Sequence, residues 1–132
     1  MVSSYYEALP IFRAAMDLAV RIDKAVQLFP RRHKYTLGAK LRDASERIVV
    51  MVARANRRSE RAKWLEALCN QVEDLKLLTQ LGKEVQAFAS FSAFVEVMEQ
   101  VVALARQAEG WRRSAASQNR PEPARGPSTE GR

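Results

Sequence analysis

Before residue 120 the only glycines and prolines of this chain are Pro10, Pro30, Gly38, Gly82 and Gly110. These two residue types are the strongest local breakers of regular structure. Between them lie long stretches in which apolar residues recur every three or four positions. Such spacing gathers side chains on one side of a helix. No stretch of any length alternates apolar with polar, so the pattern a half-buried strand needs is missing. The punctuation and the period together restrict the chain to an all-α fold.

Four helices are expected. The first runs from about Leu9 to Leu28, with Phe12, Met16, Ala19, Ile22, Val26 and Phe29 inward. The second runs from about Thr36 to Ala55 on a stripe of Leu37, Leu41, Ala44, Ile48, Met51 or Val52, and Ala55. The third begins at an N-cap near Ser59 and ends near Gly82, a residue type suited to the position after a helix. Its stripe is Leu65, Leu68, Val72, Leu75 and Thr79, widened by Leu78 and Leu81. The fourth runs from Ser90 or Ser92 to Glu109, with Phe91, Phe94 or Val95, Met98, Val101 or Val102, and Ala105 inward, and Gly110 closing it. Each helix is about 20 residues, or ~30 Å. Similar lengths and short connectors favour an up-down-up-down antiparallel four-helix bundle.

The bundle is expected over residues 1–113. Residues 114–132 hold no bulky apolar side chain and are rich in Ser, Pro and Arg. They cannot recover their ordering entropy by burial, so a disordered basic C-terminal tail is expected.

The topology turns charge into position. The chain has 22 Lys and Arg against 15 Asp and Glu, a net +7. In this bundle the second connector and both termini share one end, which collects Arg54, Arg57, Arg58, Arg61, Lys63, Arg112 and Arg113. The tail adds Arg120, Arg125 and Arg132. The other end receives Arg31, Arg32, His33 and Lys34, with Lys83 nearby. Arginine pairs bidentately with phosphate oxygens, and clustered cations favour a polyanionic partner. No base-reading motif is visible, so RNA or DNA without strong sequence specificity is the expected ligand.

No catalytic constellation emerges. His33 is the only histidine and has no acid or nucleophile fixed beside it in sequence. Adjacent Glu73 and Asp74 point to different sides of a helix, and Glu96 and Glu99 lack the Glu-x-x-His partners of a di-metal bundle. No enzyme activity, metal or cofactor is expected. Cys69, the only cysteine, lies in an apolar helical pattern and reads as an inert thiol. No stretch approaches the ~20 apolar residues of a membrane span. Met1–Glu7 has no basic segment leading into an apolar run, so no signal peptide and a cytoplasmic location are expected. Trp64, at the flank of the third stripe, joins Leu78 and Leu81 in an apolar margin broader than one bundle needs. Self-association through that margin is expected.

Several segments also carry a family resemblance: Leu9-Pro10-Ile11-Phe12, the run Phe29-Pro30-Arg31-Arg32-His33-Lys34-Tyr35-Thr36-Leu37-Gly38, Arg54-Ala55-Asn56, and Gly110-Trp111. Over about Leu9 to Arg113 the chain resembles the four-helix-bundle family of the rRNA intervening-sequence proteins and of the accessory variability determinant (Avd) proteins of diversity-generating retroelements. The resemblance implies a homopentameric barrel with a basic surface. It implies binding to the retroelement's reverse transcriptase and to nucleic acid during mutagenic copying of a template RNA, with no enzymatic activity of its own. Arg31, Arg32, His33 and Lys34 fall within the matching run; Arg57, Arg58 and Arg61 rest on charge. The other branch of the family suggests an oligomeric interaction module without a nucleic-acid role.

Overall fold

Proline opens the first helix. The computed structural model describes residues 9–119, and within them α1 spans Pro10–Gln27. Pro10 takes a first-turn position, where a missing N–H costs nothing. Pro30 then bars continuation and caps a single turn, α2 (Arg31–Lys34), whose His33 and Lys34 amides both donate to the Pro30 carbonyl at 2.9 Å. The basic connector is thus itself a helical turn. Three long helices follow: α3 (Leu37–Ala55), α4 (Arg61–Glu84) and α5 (Phe91–Asn119), with a 3-10 turn at Arg58–Glu60 between α3 and α4. Among the described residues there is no strand.

The four long helices form an up-down-up-down bundle in which α3 packs on α1 and α4, and α5 packs on α4 and α1. Phe29 and Leu37, flanking the basic turn, are both buried in the core. The inner rows of α3 and α4 are the ones the spacing predicts: Leu37, Leu41, Ala44, Ile48, Val52 and Ala55, then Leu65, Leu68, Val72, Leu75 and Thr79. Val52 is the inward member of the Met51/Val52 pair. Two buried hydroxyls are satisfied locally, Thr79 Oγ1 donating to the Leu75 carbonyl (2.8 Å) and Ser45 Oγ to that of Arg42 (2.9 Å).

The rows of α1 and α5 differ from expectation. In α1 the buried residues are Ile11, Ala15, Leu18, Ile22 and Val26, so Phe12, Met16 and Ala19 are half-buried on the flank. In α5 they are Phe94, Val97, Val101, Leu104, Ala108 and Ala115, while Phe91 is 69% exposed and Met98 and Ala105 are half-buried. Both helices carry two overlapping apolar rows at the same spacing, and only packing selects between them.

Gly82 and Gly110 do not end their helices. Gly82 is buried inside the last turn of α4, where an added Cβ would lie 2.8 Å from the Phe88 ring. The helix ends two residues later in a Schellman arrangement. The Ala87 amide donates to the Gly82 carbonyl (2.9 Å), the Gln86 amide donates to that of Lys83 (3.0 Å), and Gln86 takes a left-handed φ of 59°. Gly110 lies mid-helix with open space around its α-carbon, and α5 continues to Asn119 with Ala115 buried. The bundle therefore passes the boundary expected at residue 113, because alanine at 115 reaches the core without needing bulk. Residues 120–132, including the three tail arginines, lie outside the described residues.

Two surface clamps tie α1 to its neighbours. Arg21 reaches Glu96 and Gln100 of α5, both at 2.9 Å, and Arg42 of α3 lies 3.0 Å from Asp23.

Candidate nucleic-acid interface

The antiparallel order brings the C-terminus of α3, the N-terminus of α4 and the last turns of α5 to one end of the bundle. Trp64 marks this end. Its indole is half-buried, its Nε1 donates to Glu60 at 3.1 Å, and two cations flank its ring: the Arg54 guanidinium 5.0 Å from the centroid and the Lys63 ammonium 5.6 Å from it. A cation held on an aromatic face keeps its charge available outward, unlike one paired with a carboxylate.

Arg61 does a different job from the one its charge suggests. Its guanidinium bridges two carbonyls at the end of α3, Nε to Ala55 at 3.0 Å and Nη2 to Asn56 at 2.8 Å. Those oxygens have no intrahelical donor, so Arg61 is a capping side chain. Arg112 is engaged too, by a two-pronged hydrogen bond to Glu109 within α5. The Arg112 guanidinium holds the Glu109 carboxyl below its ordinary range. Arg57, Arg58 and Arg113 are exposed with no carboxylate bonded to them among the described residues. The cluster at this end thus divides into five outward cations (Arg54, Arg57, Arg58, Lys63 and Arg113) and two with internal duties.

Cys69 sits beside the Glu109–Arg112 pair. Burial, and then the Glu109 carboxylate, push its thiol above the ordinary value, which disfavours the reactive thiolate.

The opposite end carries α2. Arg31 and Arg32 are exposed, His33 and Lys34 half-buried, and Arg32 Nε donates to His33 Nε2 at 3.2 Å. The turn is held against α3 by Gly38, where an added Cβ would lie 2.6 Å from Val26 Cγ1 and 3.2 Å from the His33 carbonyl. An edge-to-face file of rings, Phe29 to Phe88 (5.1 Å) and Phe88 to Phe94 (5.8 Å), links this connector to the start of α5. Sequence reasoning assigned these phenylalanines to the core or passed over them. The one signal for an end role was Phe91 directly after Ser90, whose Oγ accepts the Ala93 amide at 3.0 Å and so starts α5 with Phe91 as its first residue.

Of the proposed oligomer residues, Trp64 and Leu78 are half-buried and Leu81 is 48% exposed. Leu77, absent from that expectation, is 68% exposed and lines a groove between α3 and α4 with Leu78, Lys40 and Asp74.

Among the described residues no three His, Cys, Asp or Glu side chains converge as a metal site would require, and no helix is long and apolar enough to cross a membrane. Compared with protein-family models the chain matches none, and none of the curated proteins matches it.

Proposed function

We propose that this chain is a non-catalytic accessory protein that holds nucleic acid on a basic bundle end. In that reading it serves the reverse transcriptase of a diversity-generating retroelement, as the resemblance of its Phe29–Gly38 run implies. The observation that carries the nucleic-acid part is the set of five outward cations, Arg54, Arg57, Arg58, Lys63 and Arg113, gathered at one end while Arg61 and Arg112 are bound internally. Neutralised phosphates release counterions, so binding of this kind weakens steeply with salt. A charged platform also raises the effective concentration of template and enzyme when it touches both. The test is a pull-down with the reverse transcriptase encoded beside this chain, together with RNA titration of the Arg57→Glu/Arg58→Glu variant. Retained enzyme capture with lost RNA binding supports the reading; no capture by the unaltered chain removes the reverse-transcriptase half.

A second reading is an oligomeric interaction module with no nucleic-acid role. The exposed Leu77 and Leu81 on one α4 margin favour self-association. Light scattering at micromolar concentration checks it: a Leu77→Asp/Leu81→Asp variant that dissociates, while the unaltered chain assembles, supports α4 as the contact. A resemblance-implied pentamer would give five times the 14.9 kDa chain mass.

A further inference from the structure

At the end opposite the arginine cluster, a cleft of about 290 Å³ opens between the last turn of α4 and the first of α5. Its walls are Phe88, Phe91 and Phe94, and its polar groups are Lys83, Gln86 and Ser90. Phe91 leaves 69% of its surface in water although its ring centroid is only 5.7 Å from that of Phe94, which is buried. The Lys83 ammonium lies 5.5 Å from the Phe94 centroid and 3.6 Å from Glu84. The Phe91 ring leans at 42° on the buried Phe94 ring and leaves most of its own surface in water.

Gln86 adds an independent observation. Its φ of 59° is the left-handed conformation that this helix-ending motif normally gives to glycine. A side chain there costs free energy, and residues kept in such conformations cluster at functional sites. This residue in the left-handed conformation is one that lines the cleft. A flat apolar wall, a carboxamide offering both a donor and an acceptor, and a nearby cation match the three parts of a nucleotide: ring face, base edge and phosphate. The basic turn α2 stands at the same end, joined to the cleft through the Phe29–Phe88–Phe94 file.

We infer that this cleft takes one unpaired base of a single-stranded nucleic acid, stacked on Phe91, with the Gln86 carboxamide on its edge and Lys83 exchanging its long contact with the exposed Glu84 carboxylate for the adjoining phosphate. A duplex keeps its bases stacked inside and cannot present one, so the site selects single strands. The inference rests on the nucleic-acid reading above and deepens it: the arginine end supplies charge attraction for any strand, and the Phe91 end supplies preference for unpaired ones.

The test measures dissociation constants of the full chain for an unstructured A-rich RNA oligonucleotide and for the same strand annealed to its complement. Phe91→Ala is expected to weaken single-strand binding by roughly 5- to 150-fold, the equivalent of the ~1–3 kcal/mol a stacked base contributes, and to leave duplex binding unchanged. Phe91→Trp restores single-strand affinity. Gln86→Gly keeps or raises the melting temperature yet loses single-strand preference, which separates the base edge from folding. If the unaltered chain binds the single strand and Phe91→Ala binds it equally well, the cleft holds no base while the arginine reading stands. If the unaltered chain binds neither RNA at low salt, both fall.

Discussion

The guanidinium of Arg61 lies across the C-terminal end of α3, with Nη2 2.8 Å from the Asn56 carbonyl oxygen. Three residues earlier, Arg58 is exposed with no such partner. Two arginines close in sequence therefore differ in place: Arg61 closes a helix end and Arg58 faces solvent. Arg61→Ala is expected to destabilise the bundle by about 1.5–3 kcal/mol, the scale of hydrogen bonds made by a charged group. Arg58→Ala should leave the melting temperature unchanged and weaken RNA binding. Thermal denaturation and RNA titration of the two variants check this; equal melting temperatures would remove the capping role.

The three glycines among the described residues make a graded test of packing. Gly38 and Gly82 each leave no room for a Cβ, against Val26 and Phe88 respectively. Alanine at either position should cost about 1–3 kcal/mol, as overpacking does. Gly110 faces open space inside α5, so Gly110→Ala should stabilise by about 1 kcal/mol through helix propensity alone. Denaturant midpoints of the three variants report the order directly. A destabilised Gly110→Ala would show that α5 does not run through this residue.

Cys69 provides a pH-dependent readout. Its thiol value is raised, first by burial and then by Glu109. At low pH the thiol is protonated in both the folded and unfolded chain. As pH rises through the ordinary thiol range the unfolded chain ionises first, so this contribution to stability is lost as pH increases. Alkylation by iodoacetamide should reach half its maximal rate at higher pH in the folded protein than in the denatured chain. Glu109→Gln should move the folded profile back down. Coincident folded and denatured profiles would contradict the assignment.

The helix count, the topology and the inner rows of α3 and α4 were legible because each of those helices has one dominant apolar row. Helices α1 and α5 have two: Ile11, Ala15 and Leu18 beside Phe12, Met16 and Ala19, and Val97, Val101 and Leu104 beside Met98, Val102 and Ala105. Period alone cannot choose between rows offset by one residue, since both satisfy a 3.6-residue repeat. The glycine stops failed for a related reason. Gly82 serves close approach rather than termination, and Gln86 took the left-handed role that a sequence reading reserves for glycine. At the candidate interface, charge and topology grouped the arginines where α3 closes and α4 opens, the end at which the fold brings Arg54 onto Trp64. They did not single out Arg61, because the carbonyls of Ala55 and Asn56 are acceptors that every sequence carries and only a fold aims, whereas the Glu109–Arg112 pair, three residues apart on one helix, was open to a sequence reading.

The most direct measurement of the central claim is the salt dependence of RNA binding by the unaltered chain and by Arg57→Glu/Arg58→Glu. Five outward cations on one end predict a log–log slope of about −3 to −4 for a single strand, and reversal of two of them should flatten it by about 1 or more while the fold is retained. A slope near zero, or the same slope in both proteins, would contradict an interface built from these arginines.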